Sequence, residues 1–408
     1  MTSPNRLLKN PWNDVILTPF ALRLQTVLSE AKGLRVNAAK DLLHLLSATS
    51  SRCFAALSMT GALFQRPAKA SSILLIIGAL GLSLLAAGPA AKGMAPHNSQ
   101  GLLLVDNKGN HTLGLVDPAT GREVATITET GITGHEVAAS PDGRTAYVPI
   151  YGNSGVGSPG TDGRTIDVID LAARRVVSTI DLGRPMRPHC ARFNPQDGLL
   201  YVTTELADAV TVIDPKTNKV VGSIPTGQPE SHMLAITHNG RRIYTANVEP
   251  GTLSVLDVAS RKTLAIIHVA KVVQRISISM DDHYAFTSDQ TQPRLAVIDT
   301  ATNKVARWVT LPGIGFGTAP TLDGRYLLVA VINKDKVAVV NLKTMEVVRT
   351  IDVPAAPQEI LIRPDDRVAY VSCDRSREIA AIDLHTWKVE KLIHVGPVCD
   401  GLGWAVTH

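Results

Sequence analysis

Seven recurrences of one strand pattern, a strand-ending Asp in nearly every copy and a spare strand at the chain's end predict an all-β ring, a seven-bladed β-propeller of four-stranded blades. The residue closing each V-x-D run falls at Asp117, Asp170, Asp214, Asp257, Asp299, Asn341 and Asp383, at intervals of 53, 44, 43, 42, 42 and 42. Each unit opens with an inner run such as 137–140, turns at a sequence such as Pro141-Asp142-Gly143-Arg144, and enters a second run near Tyr147. A loop, the V-I-D run, a tight turn and a last run such as 220–224 follow, which makes four strands.

The turn chemistry has a geometric cause. A carboxylate at the end of the third strand accepts backbone N–H groups two residues on, and Gly121, Asn218 and Asn303 tolerate the left-handed conformation of a tight turn. The seven repeated Asp or Asn residues are therefore expected to be structural. The same holds for the first-hairpin turns at Asp142, Asp197, Asn239 and Asp323, each followed by Gly. Ring closure can also be located. The first unit, from Gly101, has three strands before the next inner run starts at His135, and the sequence GLGWAVT at 401–407 is a lone inner strand that should complete it.

The charge is unevenly placed. The chain of 408 residues carries a formal +5, yet residues 1–92 hold ten Lys or Arg against Asp14, Glu30 and Asp41, so the remainder is slightly acidic. Arg66 and Lys69 precede the apolar run ILLIIGALGLSLLAA at 73–87, and small residues follow it, the order of a secretory signal. At fifteen residues the run is shorter than the roughly 20 that span a bilayer. We therefore expect residues 59–92 to be a signal peptide cut after Ala90, or an uncleaved membrane anchor. Residues 1–58 read as a mis-called start or an amphipathic helix, and 101–408 as the propeller. A periplasmic or secreted monomer is the expected product. Near-neutral charge after the leader and 4% aromatic residues argue against nucleic-acid binding. The sequence has no haem-attachment motif, P-loop, nucleophile elbow or dinucleotide fingerprint.

The runs YVTT at 201–204, YTAN at 244–247 and YVSC at 370–373, each followed by a V-x-D turn, resemble the YVTN β-propeller repeat family. The resemblance covers 101–408 and implies a seven-bladed fold. Similar propellers include surface-layer and periplasmic binding proteins, lactonases and the propeller domain of nitrous oxide reductase, so a binding module and a hydrolytic or redox enzyme both follow from it.

Twelve positions before the second-strand anchors Tyr147, Tyr201, Tyr244, Phe286, Leu328 and Tyr370 lie His135, His189, His232, Gln274, Phe316 and Gln358, with Asp400 as the seventh equivalent. Three adjacent blades thus offer imidazole at one level of the axis. Such a set suits zinc or copper with one position left open, and equally suits the polar mouth of a hydrated channel. Arg187, Arg192 and Arg275 flank this ring and are candidates for attracting a carboxylate or phosphate, or plain surface charges. Glu205, Glu249 and Glu359 lie near the same rim. The Gly/Ser/Pro-rich stretch at 150–163 explains the 53-residue interval, and is either a lid with Tyr151 as a ligand contact or a tolerated insertion. A small molecule or a protein at this top face is the expected partner. Cys53 lies in the leader; Cys373 and Cys399 are placed to form a disulfide, and Cys190 reads as a small buried residue.

Overall fold

The computed structural model describes residues 101–407, and the leader expectations for 1–58 and 59–92, with Cys53, lie outside the described residues. The described residues fold into seven four-stranded antiparallel sheets. Inner strands run at Ala138–Ala139, Pro188–Phe193, Ser231–Ile236, Ser277–Ile278, Gly315–Pro320, Pro357–Ile362 and Cys399–Val406. The last of these belongs to blade one. It pairs with Gly101–Asn107, placing Gly101 opposite Val406 and Val105 opposite Leu402, so the ring closes through the C-terminal strand as the repeat count requires. Among the described residues no helix is long and apolar enough to cross a membrane.

Alternation decides which face of each strand is buried. Second and third strands are covered on both faces by neighbouring blades and read as near-continuous apolar runs, for example Leu200–Thr204 and Ala209–Asp214. Outer strands meet water and alternate, with one fully covered aliphatic near the end of each, such as Ile127, Ile180, Ile224 and Ile267. Burying each such side chain contributes about 1.5–3 kcal/mol. The core is consequently a set of clusters wedged between sheets, one of which links Cys190, Tyr201, Tyr244, Val255 and Ala285 across blades three to five.

The recurring Asp and Asn residues hold turns. Asp117 Oδ1 accepts the Ala119 N–H at 2.9 Å, and Asp170, Asp214, Asp257, Asp299, Asn341 and Asp383 accept the corresponding N–H groups at 2.5–3.0 Å. Gly121, Asn218 and Asn303 have φ of 67°, 54° and 54°, the left-handed values that these turns demand. Asn247, the motif Asn of blade four, is also structural: its Oδ1 accepts from Ser231 and Thr245, and its Nδ2 donates to Thr252 and Ser254. Three strands are thereby stitched together at one buried point.

Two expectations need correction. Strands of blade two extend to Gly152 and restart at Asp162, so the connecting loop spans only 153–161, and Tyr151 is a wholly buried strand residue rather than a residue of the loop. Cys373 and Cys399 are free thiols. Cys373 packs into the cluster shared by blades six and seven and Cys399 into the one between blades seven and one, and each thiol donates to a carbonyl, Val371 O at 3.6 Å and Glu378 O at 3.7 Å.

Candidate functional site

The equivalent positions of blades two to five meet. His135, His189 and His232 come from blades two, three and four, and the His189 and His232 rings stack with centroids 3.6 Å apart. His135 meets His189 edge-on at 5.1 Å. Tyr151 packs against His135 at 4.7 Å and His189 at 5.3 Å, which closes an aromatic cluster over three blades. Gln274 of blade five donates its amide to His232 Nε2 at 3.1 Å, so His232 is neutral with its Nδ1–H unpartnered. Both ring nitrogens of His189 lack a partner although the residue is 1% exposed. Burial, the largest cause, pushes all three imidazoles below their usual range, His232 to about 3 with Arg275 adding to the effect.

The other half of the axis is ionic. Arg275, one residue beyond Gln274, reaches across the ring: its Nη1 donates to Glu136 of blade two at 2.7 Å and to Glu359 of blade seven, and its Nη2 donates to Asp400 of blade one at 2.6 Å. Lys108 completes Asp400 at 2.9 Å. Against the penalty of burial, Lys108 and Arg275 hold the Asp400 carboxyl below the usual carboxylate range. Glu136 moves the other way, to about 8, because burial and the Glu359 carboxylate outweigh the pull of Arg275. Arg192 lies 3.5 Å from Glu359. Phe316 carries the Arg275 guanidinium on its ring at 5.1 Å, and Gln358 donates to Asp374 at 2.8 Å.

Arg187 is equally engaged. Its Nε donates to Asp162 at 2.6 Å, Nη1 to Glu205 at 2.8 Å and Nη2 to Ser158 O at 2.7 Å, which ties the 153–161 loop to blade three. Glu205 in turn accepts from the Tyr151 hydroxyl. Arg187 and Arg275 are 5% and 3% exposed and already paired, so neither is a surface charge, nor a free anion trap. Beside the 153–161 loop opens a cleft of about 340 Å³ lined by Ser158, Pro159, Arg187, Glu205, Asp208 and Glu230. Glu249 stands outside the axial cluster, its N–H bonded to Glu230. Cys190 is fully buried and its thiol is pushed up to about 11 by burial, as befits a packing residue.

The three histidines are together, His189 tilted 36° against His232 and edge-on to His135. Among the described residues no group of three or more His, Cys, Asp or Glu side chains is arranged to hold a metal ion. Sequence reasoning missed Glu136, Lys108 and Asp106. Glu136 was within reach, since shifting the periodic count by one position gives Glu136, Arg275 and Glu359 in three blades.

A larger cleft of about 460 Å³ lies at the opposite ends of the strands, among the turn residues Asp323, Arg325, Asp383 and Trp387 of blades six and seven. It is distant in the fold from the axial cluster, and its carboxylates hold their own turns.

No family model matches the chain. The Seven-bladed beta-propeller protein Rv1057 of Mycobacterium tuberculosis is 31% identical over 146 residues, which cover 35% of this chain. That match spans a third of the relative's own length, 33%. This chain is a seven-bladed propeller. A chain of Kuenenia stuttgartiensis hydrazine synthase superposes with a TM-score of 0.60 over 73% of this propeller-bearing chain and 99% of its own, at 18% identity, a likeness of fold alone.

Proposed function

We propose that the protein is an exported binding module of the YVTN type that takes a small cationic ligand in the cleft beside the 153–161 loop. One observation carries this: the cleft is lined by three carboxylates, Glu205, Asp208 and Glu230, against the single guanidinium of Arg187, which is already paired. The surplus negative charge favours an amine or guanidine, and the low-exposure wall formed by Arg187 and Glu205 strengthens that attraction relative to open solvent. The hydrogen bond from Tyr151 to Glu205 links the cleft to the imidazole cluster, so ligand charge is felt at His135 and His189. Export is supported by the charge and hydropathy order of residues 66–92.

The test is a thermal-shift and calorimetric titration of the full-length chain with primary amines, guanidines and quaternary ammonium ions beside a matched carboxylate panel. An amine or guanidine should bind, and Glu230→Gln should weaken it about tenfold, the loss of roughly 1.4 kcal/mol. Preference for the carboxylates, or amine affinity untouched by Glu230→Gln, would sink the reading.

A further inference from the structure

Asp106 stands where the ring is sewn shut. In the ladder between Gly101–Asn107 and the closing strand Cys399–Val406, Val105 lies opposite Leu402 and Asn107 opposite Cys399, so Asp106 falls at the register shift of that pairing. At the equivalent register, four positions before the turn-holding Asp or Asn on the facing strand, the other blades place Pro149, Thr203, Ala246, Ser288, Ala330 and Ser372. None of these is ionisable, so the blade geometry does not call for an acid here.

Asp106 is fully buried and neither carboxyl oxygen has a hydrogen-bond partner. A side-chain carbon on Gly134 would meet a Val148 methyl at 2.4 Å, Asp106 Oδ2 at 2.6 Å and Glu129 Oε1 at 3.3 Å, so two carboxyls and an apolar group crowd one point. Glu129 is 6% exposed; its Oε2 accepts the Gly134 N–H at 2.7 Å and its Oε1 has no partner. The charged groups around Asp106 are Glu129 from the connection between blades one and two, Glu136 from blade two, Asp400 from the closing strand and Lys108 from its own hairpin. Asp167, in the third strand of blade two, acts on Glu129 in turn. Lys108 is the single cation of this set, and it donates to Asp400 at 2.9 Å.

An interior carboxylate with neither hydrogen bonds nor a counter-charge of its own is costly, and the group escapes that cost by keeping its proton. Burial, with Glu129, Asp400 and Glu136 adding to it, holds Asp106 well above the usual carboxylate range, and burial raises Glu129 to about 7. We propose that Asp106 is a proton latch on ring closure: protonated, it lets Gly101–Asn107 and Cys399–Val406 pair, and loss of its proton to water or hydroxide loosens that seam. The new charge would stand among Glu129, Glu136 and Asp400, and the repulsion falls on the strand that carries Asp400. The latch's stabilisation is full below the ordinary carboxylate range and is lost as pH rises through the raised value in the fold. The propeller is thereby tight in acid and neutral surroundings and looser in alkali.

The test is hydrogen exchange of the full-length chain from pH 6 to 9, read by mass spectrometry and corrected for the base catalysis of exchange itself. Peptides from 101–107 and 399–406 are compared with the outer strand Lys262–His268 of blade four. Protection of the closing pair should fall about tenfold more than that of Lys262–His268 in the wild type, and the two should fall together in Asp106→Asn. Protection that does not change with pH, or a loss at the seam that persists in Asp106→Asn, overturns the proposal. If Asp106→Asn does not fold, Asp106→Thr, which installs the residue type of blade three, takes its place. If neither folds, the wild type decides: an alkaline loss no larger at the seam than at Lys262–His268 overturns the latch.

Discussion

The axis has two unlike halves. From blade five round to blade one, charges are paired across the ring, with Arg275 touching carboxylates 139, 84 and 125 residues away. From blade two to blade four, the imidazoles of His189 and His232 are packed tightly and leave three ring nitrogens without partners. The first half behaves as a keystone: its groups pair with one another and leave Glu136 Oε2 and Arg275 Nε without a hydrogen-bond partner. The second half carries polar capacity that nothing in the fold consumes, and it adjoins, through Tyr151 and Glu205, the cleft beside the 153–161 loop. A charged cluster in a channel is therefore poor evidence of a site when every member is paired; the unpaired neighbour is better evidence.

The sharpest way to break this contrast is to remove the strand that carries Asp400. Deleting 399–408 should abolish the cooperative melt, with the whole stability of about 5–15 kcal/mol lost, as followed by circular dichroism. A truncated chain that still melts cooperatively would show that closure is dispensable. Next in size is Arg275→Met, which strands Glu136, Glu359 and Asp400 in the interior and should cost about 3–5 kcal/mol in urea unfolding. Should it cost less than His189→Leu, the keystone assignment fails.

Acid and base should then separate the halves. His232, depressed to about 3 from an ordinary 6.5, stays neutral in the fold while the unfolded chain takes up a proton; its stabilisation is full above 6.5 and lost as pH falls toward 3. Glu136 is raised to about 8, so its contribution is full below 4.5 and lost as pH rises through 8. Urea midpoints measured from pH 4 to 9 should form a dome. His232→Leu should flatten the acid limb and Glu136→Gln the alkaline one; a swap of those effects would refute the assignment. The smallest change expected is His189→Leu itself, within about 1 kcal/mol of wild type, because it removes buried donors that have no partner to lose.

The fold was legible because a propeller writes its geometry into a period: Asp117 through Asp383 recur since each must hold the same turn. The meeting of His135, His189, His232 and Gln274 was legible for the same reason, as these are equivalent positions of adjacent blades. What escaped depends on direction and reach. A count of positions does not show that Arg275 spans the ring, that Arg187 clasps the 153–161 loop of blade two, or that the Cys373 and Cys399 thiols enter different clusters. Tyr151 was misplaced because the Gly-rich stretch reads as loop from Ile150, whereas the strand runs on to Gly152. Asp106 and Lys108 escaped because blade one takes its inner strand from the far end of the chain, which removes the local register used elsewhere.

That borrowed strand also fixes a timetable. Leu103 cannot find Trp404, nor Lys108 its Asp400, until the ribosome has made nearly the whole chain. Through most of synthesis the nascent protein therefore exposes an unpaired edge on its first blade and an unfinished axis, a form suited to a chaperone's grip. The fold becomes a circle only once the strand Cys399–Val406 is free to reach Gly101–Asn107.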